Sequence, residues 1–280
     1  MQPEIPPPIT TIFISLIIGR TRWIKRTTFP ARLGTRQERE YSIPVKLYKR
    51  PASERGVAEH GWLHARFSFS FANYFDPKHC GFHSLKVMNN DVIEPGGGFG
   101  THPHQNAEIF TYVISGELEH KDSMGNGSVI SPGNLQYLSA GHGVSHSEFN
   151  PSSENSTELY QIWMTPKENG GTPRYAEKNL GPNSVKNKLQ LLFSGDGRQE
   201  SVKIRQDAEF HFGQLDINSQ ICIDPSPQFP NCWIQVIDGN LLVESTDLKK
   251  ADGLAIENRS EPLHVRASKT ADFFVFQLPD

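Results

Sequence analysis

Cysteine is scarce in this sequence, with only Cys80, Cys222 and Cys232 in 280 residues. An odd number at wide spacing, with no Cys-x-x-Cys, excludes a disulfide framework and a thiolate metal site, and it fits a reducing, cytoplasmic setting. Long apolar runs are also missing. The most hydrophobic segment, Ile12 to Gly19 (IFISLIIG), falls far short of the roughly 20 residues a spanning helix needs, so no membrane association is expected. Positive charge is not in excess: 28 Lys and Arg stand against 31 Asp and Glu, for a net charge of -3. The one local basic excess runs from Arg20 to Arg36, and direct nucleic-acid binding is not expected. At this length a core forms without staples, so size alone requires no structural metal.

Residues 1–44 are set apart as an N-terminal extension, either disordered or cleaved, or else the product of an upstream start of translation. Basic residues follow the apolar run, whereas Glu4 and four prolines precede it, which is the reverse of a secretory signal. From about Lys46 onward the chain consists of short β-branched or aromatic segments broken by Gly, Pro, Asn and Asp. Examples are Ile109–Ile114 (IFTYVI), Leu159–Met164 (LYQIWM), Trp233–Ile237 (WIQVI) and Phe273–Gln277 (FFVFQ). Helical periods are few, and the pattern predicts an all-β sandwich or barrel.

A weak internal repeat divides the chain. Tyr112-Val-Ile-Ser-Gly116 is similar to Ile234-Gln-Val-Ile-Asp-Gly239, and a second turn glycine follows 17 positions later in the first half and 14 in the second. Residues 168–187 are rich in Gly, Asn, Pro and Lys and read as a linker. The expectation is two stacked β-barrels, over 45–167 and 188–280.

The chemistry concentrates in Gly96-Gly-Gly-Phe-Gly-Thr-His102-Pro-His104-Gln-Asn-Ala-Glu108 and, about forty residues on, in His142-Gly-Val-Ser-His146-Ser-Glu148-Phe-Asn150. Strand side chains alternate, so His102 and His104 share a face, as do His146 and Glu148, and two such pairs can converge inside a barrel. Imidazoles with one carboxylate suit iron, nickel, copper, cobalt or zinc and argue against calcium. Glu108 would share the face of His102 and His104 in an unbroken strand, so parity does not choose between Glu108 and Glu148 as the carboxylate. The glycines at 96, 97, 98 and 100 are read as turn and close-approach residues rather than a phosphate cradle.

Gly96-x5-His102-x-His104-x3-Glu108 looks like the first cupin motif, and Pro132-Gly133 through His146 and Asn150 resembles the second. GGFGTHPH, SPGNLQYLSAGHGVSHSEFN and the phrase HGWLHARFSFSFANYFDP at His60 to Pro77 resemble the quercetinase-like branch of the pirin family. The resemblance runs from about Val45 to the C-terminus and implies a bicupin of two jelly-roll barrels. It implies a single divalent metal in the first barrel, iron(II) foremost, held by His102, His104, His146 and Glu148. Glu108 then stands as a group that hydrogen-bonds a ligand histidine or a substrate hydroxyl.

For activity the resemblance implies a dioxygenase that opens a flavonol such as quercetin with release of carbon monoxide, Glu148 or Glu108 accepting the hydroxyl proton. Two other readings stay open: an iron-dependent redox sensor read by a regulatory protein partner, and a cupin acting on another chelating enol. A monomer is the default. His60, His64, His79 and His83 are read as surface or packing residues, and His120 and His142 as neighbours of the site. With only His211 and His264, the second barrel is not expected to bind this metal. Phe67, Phe69, Phe71, Tyr74 and Phe75 are assigned to core and inter-barrel packing.

Overall fold

Apolar and polar residues alternate along LHARF at Leu63–Phe67, and burial alternates with them, which is what one buried sheet face produces. The computed structural model describes residues 45–180 and 186–280; the reading of residues 1–44 as an extension lies outside them. The first half contributes β1 (Lys46–Arg50), β2 (Gly56–Glu59), β3 (Leu63–Phe67), β4 (Leu85–Ile93), β5 (Gly98–His104) and β6 (Glu108–Ser115). It continues with β7 (Leu118–Asp122), β8 (Gly127–Ile130), β9 (Asn134–Ser139), β10 (Val144–Phe149), β11 (Thr157–Met164) and β12 (Arg174–Asn179). The second half contributes β13 (Lys188–Ser194), β14 (Val202–Lys203), β15 (Glu209–Leu215) and β16 (Gln220–Ile223). The last strands are β17 (Asn231–Val243), β18 (Thr246–Lys249), β19 (Gly253–Glu257) and β20 (Leu263–Leu278). Among the described residues the only helical element is a 3-10 turn at Ala52–Glu54, so the all-β expectation holds.

In the first half a seven-stranded sheet, β12-β9-β6-β11-β4-β3-β2, faces a four-stranded sheet, β5-β10-β7-β8. Between them lies a core that includes Leu63, Phe67, Ile93, Val113, Leu118, Ile130 and Leu159. In the second half one nine-stranded sheet encloses its own core, with Ile234, Val236, Leu254, Val265 and Phe273 among its members. It can do so because the long strands β17 and β20 shift register between Val236 and Leu241, and such bulges bend a strand. Gly239 sits in that bend at φ 80°, where an added Cβ would collide with the backbone of Thr270.

A third core joins the halves. Phe110, Tyr112, Tyr137 and Tyr160 of the first pack with Phe193, Phe210, Phe274 and Phe276 of the second, and Phe110 lies 4.9 Å from Phe193 and 5.4 Å from Phe210. Of the aromatics assigned to packing, Phe69 reaches Trp233 across the halves at 4.9 Å, whereas Phe75 is 74% exposed.

Two pairings shift the expected division. The segment read as a linker carries β12, which pairs along its length with β9 and extends the first half's sheet to Asn179. RYAEKN looks like a loop because it has only one sheet neighbour and only Tyr175 and Ala176, both half-buried, to set against the core. At the other end, β1 pairs with β19 and so belongs to the second half's sheet. The Lys49 ammonium lies 2.8 Å from the Asp252 carboxylate, and the Ala52 N–H donates to the same group at 2.7 Å.

Candidate metal centre

Strands β5 and β10 run antiparallel with His102 opposite His146, and this register brings the two histidine phrases together. Gly98 permits the approach: a Cβ there would lie 2.6 Å from the Cα of Phe149. A register shift between His146 and Glu148 then sets Glu148 opposite Phe99.

The three imidazoles converge. Ring centroids of His102, His104 and His146 are 4.6 to 4.8 Å apart, and one ring nitrogen from each falls within a common 4.8 Å. Nδ1 of His102 lies 2.8 Å from the carbonyl of Gly100, a donor arrangement that leaves its Nε2 lone pair facing inward. That Nε2 is 3.1 Å from Nε2 of His146, a spacing that a shared cation satisfies. Nε2 of His104 and Nδ1 of His146 are buried without a hydrogen-bond partner. Buried nitrogens are normally bonded, so the unbonded Nε2 of His104 marks a place for a metal or a ligand, whereas Nδ1 of His146 lies across its ring from the Nε2 that faces His102. Burial, reinforced by the neighbouring imidazoles, pushes His104 and His146 down to about 3, which keeps both in the neutral form that ligates. Three imidazoles beside a carboxylate fit a first-row transition ion.

Glu148 is 3% exposed and held from the opposite sheet. Gln161 Nε2 donates to its Oε2 at 3.1 Å and Oε1 at 3.4 Å, and the Thr111 hydroxyl lies 3.3 Å from Oε1. In this position its carboxylate groups within 4.8 Å with His146 and His120. The His120 ring stacks on Tyr175 at 5.3 Å, with Nε2 3.5 Å from Asp122. Asp91, also fully buried, is pushed up to about 7 by burial and by the charge of Glu148. Trp163 stands edge-on to His104 at 4.8 Å, its indole N–H buried and unbonded. His142 is exposed, and the contacts it makes with Gly171 and Gln105 run through its backbone N–H and carbonyl.

Glu108 is elsewhere. Its carboxylate accepts from Tyr137, from Ser139 Oγ at 2.5 Å and from the Arg205 N–H at 2.9 Å, not from a ligand histidine as expected. The reason is a turn at Gln105–Ala107, where Asn106 adopts φ 53° and the unbroken-strand parity is lost. On β6, Glu108 shares the face of Phe110 and Tyr112 toward the second half, whereas Thr111 faces Glu148. A Glu108→Ala variant strands three donors and should lose about 3 kcal/mol of unfolding free energy in urea titration, with metal content unchanged.

Sequence reasoning passed over Gln161, Thr111, Asp91 and Trp163. The available signal was a polar residue inside an otherwise apolar strand, as in LYQIWM and IFTYVI, because burying an amide or hydroxyl requires a partner.

The sequence profile of the Pirin family matches residues 49–164, and that of the quercetinase C-terminal cupin domain matches residues 191–278. The chain belongs to the pirin family. It is 44% identical over 233 residues to the quercetin 2,3-dioxygenase of Escherichia coli K12, covering 83% of this chain and 99% of that protein. The crystal structure of YhhW from E. coli superposes with a TM-score of 0.80 at 44% identity, covering 84% of this chain and 98% of the other. A second structure, described as bacterial pirin YhhW in complex with nickel(II), gives 0.79 at 43% identity, covering 84% and 99%. The pirin architecture of two cupin barrels is thus common to this chain and YhhW. Within its second barrel His211 pairs with Glu209 at 2.8 Å, and the metal-competent groups among the described residues all lie in the first.

Proposed function

We propose that this pirin is a metal-dependent dioxygenase that opens a flavonol of the quercetin type, with His102, His104, His146 and Glu148 holding one divalent transition metal, iron(II) foremost. The observation that carries the reading is the convergence of three imidazoles, with Nε2 of His104 buried and unbonded among them. The relationship to a protein named quercetin 2,3-dioxygenase, and to one described in complex with nickel(II), supports it. When bound, the metal supplies Lewis-acid affinity for a deprotonated ring hydroxyl and its neighbouring carbonyl, and a place for dioxygen beside the ring.

The chain's own residues supply the rest. His104 and His146 are kept neutral by burial and bind without first releasing a proton. Glu148 accepts the flavonol hydroxyl proton on a carboxylate oxygen, with Thr111 and Gln161 fixing its orientation. Trp163, against Phe71 at 5.5 Å and His104 at 4.8 Å, walls the site with aromatic surface that excludes water and suits a flat ligand. In the overall reaction both dioxygen atoms enter the ring-opened ester, and one ring carbon leaves as carbon monoxide.

The test is anaerobic loading with iron(II), then addition of quercetin and oxygen, following oxygen uptake, flavonol absorbance and carbon monoxide. About one dioxygen per flavonol is expected, with His102→Ala and Glu148→Ala losing turnover. A loaded protein that leaves quercetin intact would mean that the site serves another chelating substrate or a sensor.

A further inference from the structure

Strand β11 has two faces with different duties. Tyr160, Ile162 and Met164 sit in the core between the halves, so the strand is fixed from behind. The other face presents Leu159 to the first half's core, Gln161 to Glu148 and Trp163 to His104. Gln161 is therefore an amide buried on a rigid strand, directed at the carboxylate.

The hydrogen bonds have a definite sense. A carboxylate only accepts, so an amide facing it must offer its NH2. Gln161 does so, and its own Oε1 then needs a donor. Thr111 Oγ1 lies 3.1 Å from that oxygen and 3.3 Å from Glu148 Oε1, and it has a single hydrogen to give. The shorter contact assigns that hydrogen to Gln161. Thr111 thus sets which way the amide points, and the amide sets the carboxylate.

We propose that Gln161, oriented by Thr111, is the positioning residue for Glu148, fixing which carboxylate oxygen is offered to the ion held by His102, His104 and His146. The proposal rests on the reading of Glu148 as a ligand. Without Gln161 the carboxylate has no amide donor and turns among His120, His146 and the metal position. Without the Thr111 hydroxyl the amide is free to flip and present oxygen to oxygen.

The experiment measures nickel(II) affinity by chelator competition and the d–d absorption of the cobalt(II)-loaded protein, for Gln161→Leu, Thr111→Val, Thr111→Ser, Glu148→Ala and the Gln161→Leu/Glu148→Ala double variant. Gln161→Leu and Thr111→Val should each bind nickel about 10- to 100-fold more weakly and shift the cobalt bands, while Thr111→Ser restores both. In the Glu148→Ala background Gln161→Leu should cost nothing further. Wild-type affinity and bands in both Gln161→Leu and Thr111→Val would overturn the proposal, as would an undiminished Gln161→Leu loss in the Glu148→Ala background. If Glu148→Ala itself keeps full affinity and unchanged bands, it is the ligand reading that fails. Thr111→Val, nearly isosteric, carries the test if Gln161→Leu does not fold.

Discussion

A His146→Ala variant should lose its metal outright, with affinity for nickel(II) or iron(II) falling by more than the roughly 100-fold that removal of an outer hydrogen-bond partner costs. His146 belongs to both groups of ligand atoms, the one with His102 and His104 and the one with His120 and Glu148. Its loss leaves no complete set on either side. The side chain is 2% exposed, at the middle of a strand paired on both edges, so no neighbour swings in to replace it. Its Nδ1 is unbonded and its Nε2 meets only His102, so the metal-free variant forfeits at most that one contact and should still fold. Metal content after dialysis, read beside the melting temperature of the metal-free form, separates lost coordination from lost structure. Full metal content in a folded His146→Ala protein would rule His146 out as a ligand.

Acid should destabilise the metal-free protein well above the range in which carboxylates titrate. His104 and His146 stand at about 3 in the folded chain, against about 6.5 when unfolded. Between those values the unfolded chain binds protons that the folded chain refuses, so stability falls as pH falls from about 6.5 toward 3. Each histidine contributes up to about 1.4 kcal/mol per pH unit, or ~4 kcal/mol for the two between pH 6.5 and 5. Asp91 works in the opposite sense. Its folded value, about 7, lies above the unfolded one, so in the folded chain it takes up a proton as pH falls to 5 and returns about 2 kcal/mol. The net expected loss is about 2 kcal/mol, and an Asp91→Asn variant should show a loss nearer 4. Urea titrations at pH 7 and 5 measure both. Equal stabilities at the two pH values in the Asp91→Asn protein would show that the imidazoles are not shielded as the geometry implies.

The parts of the site legible in the sequence were those set by local alternation. His102 with His104, and His146 with Glu148, lie two residues apart on strands, so each pair could be placed on a face before the partner strand was known. The convergence of the two phrases followed from the family resemblance and the barrel architecture. Glu108 defeated the same rule because the turn at Asn106 separates it from β5 and resets the alternation. Thr111 and Gln161 were illegible for another reason. Both lie in strands whose composition announces burial, and only pairing across the sheets reveals that Glu148 is what they are buried against. The roles of β1 and β12 were hidden similarly, since each gains its meaning from a strand far away in sequence.

That distance has a consequence in time. Lys46 pairs with Glu257 and Arg50 with Gly253, so β1 emerges from the ribosome some two hundred residues before its partner exists. At synthesis rates of about 5 to 20 residues per second, it waits on the order of 10 to 40 seconds with an open edge. Until β19 appears, β1 has no sheet to join, because its pairing partner lies wholly in the second half. The latest act of synthesis therefore stitches down the earliest described stretch of chain, and a nascent chain stalled before Gly253 would carry that strand with an open, sticky edge.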